Sequence, residues 1–218
     1  MLAAILFDLD GTLVNSDPVH YEIWRDILTE FGITIDPDFY KARISGGQNA
    51  AIIADILPQL SQPESLELAE RKEALYRERG HQLQALAGLE RILEWTEAAG
   101  LQKAIVTNAP RANAHFMIEA LQLTETFPWV ILGEEAAQGK PDPAPYQLAL
   151  NRLQITSEQA IAFEDSPSGI RSAVGAGIYT VGITSTHESK HLQSLGARWT
   201  INDFTDPKLW DWLPGLIA

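Results

Sequence analysis

Two aspartates two residues apart, Asp8 and Asp10, end the apolar run Ala3-Ala4-Ile5-Leu6-Phe7 and are followed at once by Gly11 and Thr12. A strand alternates its side chains, so continued extension would put both carboxylates on one face. Gly11 predicts an immediate turn that leaves them at the strand's carboxyl end, where open α/β sheets place their ligands. Two like charges this close resist ionising together unless a cation is present. The pair therefore argues for a metal, and hard oxygen donors favour Mg2+ over Zn2+. Two more apolar runs stop in polar pairs: Lys103–Val106 at Thr107-Asn108, and Ala160–Phe163 at Glu164-Asp165. One such ending is ordinary loop chemistry; three meeting along one sheet edge make a candidate site. Lys140, in Gly139-Lys140-Pro141-Asp142-Pro143, is a fourth element. Beside four carboxylates its ammonium would offset their repulsion and bind a phosphate oxygen.

The elements that must position these groups fall into two patterns. After the opening strand, Asp17 can cap a helix with Pro18 at its first position, and Val19, Ile23, Ile27 and Phe31 follow at helical spacing. Further helices are predicted near Phe39–Arg43, Gln48–Leu57 and Pro63–Leu83, with no strand between Val14 and Leu86. From Gly88 onward helix and strand alternate. Helices at Glu90–Ala99, Arg111–Leu121, Ala144–Leu153, Gly169–Val174 and Glu188–Leu195 separate strands at Lys103–Val106, Trp129–Leu132, Ala160–Phe163, Tyr179–Ile183 and Trp199–Ile201. Strands joined by helical crossovers imply a parallel sheet covered on both faces. The expected fold is thus α/β: a Rossmann-like core domain of residues 1–13 and 87–218, interrupted by an α-helical cap domain of residues 14–86. The insertion begins directly beside Asp8 and Asp10, so it can lie over them and exclude water.

Composition narrows the function classes. The 218 residues hold no cysteine, which excludes thiolate catalysis, disulfides and cysteine-ligated metals and fits a reducing, cytoplasmic setting. A formal net charge of −13 argues against nucleic acid as a partner and makes any phosphate site depend on local cations. The apolar start is short, lacks a basic lead and meets Asp8 at once, so it reads as neither a signal peptide nor a membrane span. Monomer is the default expectation.

With these residues in place, the chain resembles the haloacid dehalogenase superfamily over nearly its whole length. Asp8-Leu9-Asp10-Gly11-Thr12 is similar to its first motif, Thr107-Asn108 to its second, Lys140 in Gly-Lys-Pro-Asp-Pro to its third and Phe163-Glu164-Asp165-Ser166 to its fourth. The insertion resembles the family's α-helical cap. Val106-Thr-Asn-Ala-Pro-Arg111 and Ile44-Ser-Gly-Gly47 resemble sugar- or glycerol-phosphate phosphatases of the β-phosphoglucomutase-like branch. The resemblance implies that Asp8 attacks phosphorus to form an aspartyl-phosphate, while Asp10 protonates the leaving oxygen and later activates water. It implies Mg2+ held by Asp8, Asp165, the Asp10 carbonyl and Glu164, with Thr107, Asn108 and Lys140 on the phosphoryl oxygens.

Other residues have two readings each. His20 is a candidate substrate contact, since a cap histidine occupies a similar position in the mutase branch; the plain alternative is a structural histidine. Trp24, one turn on, reads as core. Arg43, Asn49 and Arg77 are candidate cap contacts against a reading as solvated side chains; Arg111, four residues after Thr107, is a candidate substrate contact against a reading as an exposed arginine at a helix start. Ser166, Ser168 and Gly169 read as a helix cap. His115, His187 and His191 are not placed near the motifs, and His187 with His191 lacks a third metal ligand. The implied activity is hydrolysis of a small phosphorylated metabolite. A phosphosugar mutase is the alternative; the arginine that mutases of this branch carry in the cap loop is replaced by Asn49, which disfavours it. Dehalogenation needs no Mg2+ and no Asp10, and a non-catalytic metal-binding or regulatory protein would not need every catalytic position intact.

Overall fold

In a computed structural model, which describes residues 1–45, 47–80 and 83–216, the run Ala4–Phe7 forms a fully buried strand, β1. Alternation divides it between the two faces of a sheet. Ala4 and Leu6 join Ala104, Val106 and Ala162 beneath Tyr146, Ala149 and Leu150 of a covering helix. On the other face Phe7 stacks on Phe163 at 5.6 Å between ring centroids, with Phe127 and Phe204 meeting it edge-on.

The sheet is parallel and six-stranded, in the order β5-β4-β1-β6-β7-β8, with β4 at Gln102–Thr107, β5 at Trp129–Leu132, β6 at Ala160–Glu164, β7 at Tyr179–Ile183 and β8 at Trp199–Ile201. The crossovers are α5 (Leu89–Ala98), α6 (Arg111–Ala120), α7 (Ala144–Leu153), α8 (Pro167–Gly175) and α9 (Ser189–Ser194); a final helix, α10 (Pro207–Trp212), had no predicted counterpart. β1 lies between β4 and β6, so the chain winds outward in both directions from the strand that carries Asp8. That is the switch-point geometry expected to gather strand-end residues into one crevice.

The chain divides into two compact units, Met1–Asn15 with Gln84–Ala218, and Ser16–Leu83. The sequence reading expected no strand within residues 14–86, but β2 (Val14–Asn15) pairs antiparallel with β3 (Gln84–Ala85). Two residues per strand are too few for hydrophobic alternation to register.

The second unit is helical: α1 (Asp17–Glu30), α2 (Pro37–Arg43), α3 (Asn49–Ile56) and α4 (Gln62–Glu78). Val19, Ile23, Trp24 and Ile27 are buried as the spacing requires, whereas Phe31 ends the helix and is 37 % exposed. Asp17 is not the cap: Ser16 holds that position, and the Asp17 carboxylate accepts hydrogen bonds from Tyr40 at 2.7 Å and Ser45 at 3.0 Å. Gly46 of the Ile44–Gly47 segment, and His81 and Gln82 of the predicted last cap helix, lie outside the described residues. Among the described residues, no helix is long and apolar enough to cross a membrane.

Candidate active site

Asp8 follows β1 directly and its N–H donates to Phe163 O at 3.0 Å, which ties the first motif to β6. Gly11 turns the chain with φ +76°, a region costly for any side chain, and a Cβ there would stand 2.2 Å from Asp165 Oδ2. Glycine is therefore what lets the first turn and the end of β6 approach. Asp10 sits half-buried in this turn, bridged to Val14.

Lys140 is the centre of the charge arrangement. Its side chain is 2 % exposed, and its ammonium donates to Asp8 Oδ1 at 2.6 Å, Glu164 Oε1 at 2.5 Å and Val106 O at 2.6 Å. An ammonium has three hydrogens, and all three are spent here. In this arrangement Lys140 neutralises carboxylates; a phosphate oxygen would have to displace one of its acceptors. Asn108 holds the Lys140 backbone at both ends, donating to its carbonyl and accepting from its N–H, each at 2.9 Å. Its amide thus braces the loop that delivers Lys140. Thr107 is buried, and its hydroxyl accepts from Ala109 N–H at 2.9 Å, which leaves the hydroxyl hydrogen to donate elsewhere.

Glu164 is fully buried between Lys140 and Tyr146, whose phenol donates to Oε1 at 2.7 Å. Burial, then the charge of Glu164, keeps that phenol protonated by raising it well above its ordinary value. The other oxygen, Oε2, has no hydrogen-bond partner among the described residues. It lies against the start of α8, where a Cβ on Gly169 would come within 1.8 Å of it. Ser166 caps that helix, accepting from Gly169 N–H at 3.0 Å, as the sequence suggested.

Asp8, Glu164 and Asp165 present oxygens that all lie within 4.8 Å of one another, and all three residues are buried. Oxygens bound ~2.1 Å from a Mg2+ ion stand roughly 3–4 Å apart, so the group is close to the size of a hard-cation site. The orphaned Glu164 oxygen and one ammonium against three carboxylates leave unsatisfied negative charge, which fits a divalent cation. The Asp10 carboxylate is not in the group.

The proton affinities carry the same imprint. Burial, then repulsion by Glu164, pushes Asp8 from 3.8 to about 7. Asp165 is raised well above the carboxylate range by burial and then by Asp8 and Glu164. For Lys140, burial favours the neutral form, but Asp8 and Glu164 outweigh it and hold the ammonium above its ordinary value. A carboxyl raised in the folded state contributes stability that is fully present below its unfolded value and lost as pH climbs through the folded one. Metal-free protein should therefore lose this contribution between about pH 4 and the Asp8 value of about 7. A cation must displace those protons, so the Mg2+-induced rise in melting temperature is expected to be larger at about pH 8 than at about pH 5. A Mg2+ effect that is absent, or equal at both, contradicts this.

The remaining candidates are dispersed. Arg111 pairs with Glu134 at 3.1 Å and Glu135 at 2.8 Å on the core surface. In the helical unit, His20 stacks on Tyr76 with ring centroids 4.3 Å apart, Arg43 is held by Asp55 at 2.6 Å, and Asn49 donates to Glu73 at 2.5 Å. Glu73 also accepts from Lys72, a buried lysine that the sequence reading passed over. Arg77 is half-buried on α4, and His115 is exposed on α6. One expectation is corrected: His187 does adjoin the motifs, because its ring contacts Thr186, which is bonded to Asp165. The signal was a fourth polar strand end, Thr184-Ser185-Thr186-His187 after the apolar run of β7.

Comparison with known proteins identifies the family and the fold. A family model described as haloacid dehalogenase-like hydrolase matches residues 5–183. The chain is 30 % identical over 203 residues to a phosphorylated carbohydrates phosphatase of Thermotoga maritima, covering 90 % of this chain and 92 % of that one. It is 28 % identical over 192 residues to hexitol phosphatase A of Escherichia coli, covering 87 % of each. Among solved structures, a HAD hydrolase of family IA, variant 3, from Entamoeba histolytica superposes with a TM-score of 0.85 at 28 % identity, covering 99 % of both chains.

Proposed function

The chain belongs to the haloacid dehalogenase-like hydrolases, and from that premise we propose that it is a Mg2+-dependent phosphatase acting on small phosphorylated metabolites of the sugar or polyol type, through an aspartyl-phosphate on Asp8. The observation that carries the reading is the buried set of Asp8, Glu164 and Asp165 at the ends of adjacent parallel strands, the first two of them bonded to Lys140. Names of the relatives, phosphatases of carbohydrate and hexitol phosphates, support the substrate class.

An Asp8 oxygen forms a bond to phosphorus as the ester P–O bond breaks. Asp10 gives its proton to the departing alkoxide, then takes one from the water that attacks the phosphoryl group and frees Asp8. Lys140 keeps Asp8 oriented and favours its ionised form against burial and Glu164, and Asn108 keeps Lys140 in place. Thr107 offers its hydroxyl to a phosphoryl oxygen. A divalent cation held by Asp8, Glu164, Asp165 and the Asp10 carbonyl would supply the charge that lets two anions meet. His20 is proposed as a cap contact to the substrate. The enzyme is proposed to work as a cytoplasmic monomer, with no nucleic-acid or membrane partner.

Phosphatase is preferred to mutase because a mutase must grip a second phosphate. Arg43 is already paired with Asp55, and Asn49 with Glu73, so neither offers a ready bidentate partner. The test is phosphate release from sugar, hexitol, glycerol and glycolate phosphates with Mg2+ and with EDTA. β-Glucose 1-phosphate plus a trace of the bisphosphate is run alongside for glucose 6-phosphate. Mg2+-dependent release without isomerisation is expected; efficient isomerisation with little release would make the protein a mutase.

A further inference from the structure

We infer that the loop after β7, Ser185-Thr186-His187, is a clamp that sets how tightly Asp8, Glu164 and Asp165 hold a divalent cation; the inference rests on the metal reading above. The loop touches both segments that bring ligands to that site. Ser185 Oγ donates to Gly11 O at 2.5 Å, in the turn of the first motif. Thr186 Oγ1 donates to Asp165, contacting its carbonyl at 3.1 Å and Oδ2 at 2.5 Å. The site of a Cβ on Gly11 lies 2.2 Å from Asp165 Oδ2 and 3.2 Å from Thr186 Cγ2, so turn, carboxylate and loop are in close contact.

A hydroxyl has one hydrogen. The Asp165 backbone carbonyl can only accept, and so can the Asp165 carboxylate once it holds a cation, so that hydrogen goes to Asp165. The contact of 2.9 Å between Thr186 Oγ1 and His187 Nδ1 must then be a hydrogen bond donated by the ring. The result is a directed chain, His187 Nδ1–H to Thr186 Oγ1–H to Asp165. Each link polarises the next toward the carboxylate and fixes its rotamer. Ser185, Thr186 and His187 act through Gly11 and Asp165, so they are positioning residues.

The test is Mn2+ binding to metal-free protein without substrate, read by electron paramagnetic resonance. Thr186→Val is expected to weaken binding by about 10- to 100-fold, the range for losing an outer hydrogen-bond partner of a metal ligand. Thr186→Ser keeps the hydroxyl and should bind close to the unaltered protein. His187→Leu should weaken binding less than Thr186→Val, and His187→Asn, whose amide can donate in place of Nδ1, should recover it. In turnover, the Mg2+ needed for half-maximal rate rises in parallel, while the substrate KM at saturating Mg2+ does not move. The clamp is overturned if Thr186→Val binds Mn2+ normally, or if Thr186→Ser is as weak as Thr186→Val. Should Thr186→Val fail to fold, the His187→Leu and His187→Asn pair decides by the same criterion. Asp165→Asn separates the two claims. If it loses Mn2+ while Thr186→Val does not, only the clamp falls; if it binds normally, the metal reading falls with it.

Discussion

Asp8→Asn is expected to lower Mg2+-dependent phosphate release by roughly 10^4-fold or more, the order seen when a covalent nucleophile is removed. The substitution keeps shape and one oxygen acceptor for Lys140, but a neutral amide lacks the carboxylate oxygen needed to form the acyl phosphate. Its effect on the fold should have the opposite sign. Asp8 is buried beside Glu164, and the charged form is disfavoured enough to raise its pKa to about 7. Removing that charge relieves repulsion, so the metal-free variant should melt no lower than the unaltered protein near neutral pH. Activity and stability are thus predicted to separate. Residual turnover of more than a few per cent would remove Asp8 as nucleophile, and a large fall in melting temperature would contradict the charge picture.

Lys140→Met is expected to cost both. The ammonium satisfies Asp8, Glu164 and the Val106 carbonyl at once, with its side chain 2 % exposed. Deleting one partner of a buried ionic group costs about 3–5 kcal/mol because the remaining charges stay buried. For a domain of this size that is a fall of roughly 6–20 °C in melting temperature. Asp8, Glu164 and Asp165 would lose the cation that offsets them, so Mg2+ should restore more stability to the variant than it adds to the unaltered protein. Lys140→Arg should not rescue activity: a planar guanidinium does not match three acceptors gathered around a single nitrogen. A metal-free Lys140→Met protein as stable as the parent would mean that the three contacts are not worth their burial.

Features set by neighbours in the chain are legible in the sequence, and features set by distant partners are not. The bounds expected for β5, α7, β7 and β8 coincide with those observed, because short apolar strands of a covered parallel sheet, and the helical spacing of Tyr146, Ala149, Leu150 and Leu153, are local signals in the chain. The polar strand ends of β1, β4 and β6 were legible from where their apolar runs stop, whereas the strand order that makes them neighbours is seen only in the fold. What escaped is what depends on partners distant in the chain. Tyr146 on Glu164, Asn108 on the Lys140 backbone and Thr186 on Asp165 leave no periodic trace. Asp17 has the residue type of a helix cap, but hydrogen bonds from Tyr40 and Ser45 place it otherwise. The two-residue strands of the β2–β3 ribbon lie below the length at which hydrophobic pattern is informative. Lys140 was expected beside carboxylates; that all three of its hydrogens would be committed to protein acceptors emerged only from the geometry.

Catalysis through Asp8 requires a covalent phosphoryl group on that residue. The direct measurement is a rapid acid quench during the first turnover of a radiolabelled hexitol or sugar phosphate, followed by mapping of any label retained on the protein. Transient label is expected on the peptide carrying Asp8, appearing before free phosphate, dependent on Mg2+ and lengthened in lifetime by Asp10→Asn. Phosphate released in the first turnover with no label passing through the protein, or label on a residue other than Asp8, would contradict it.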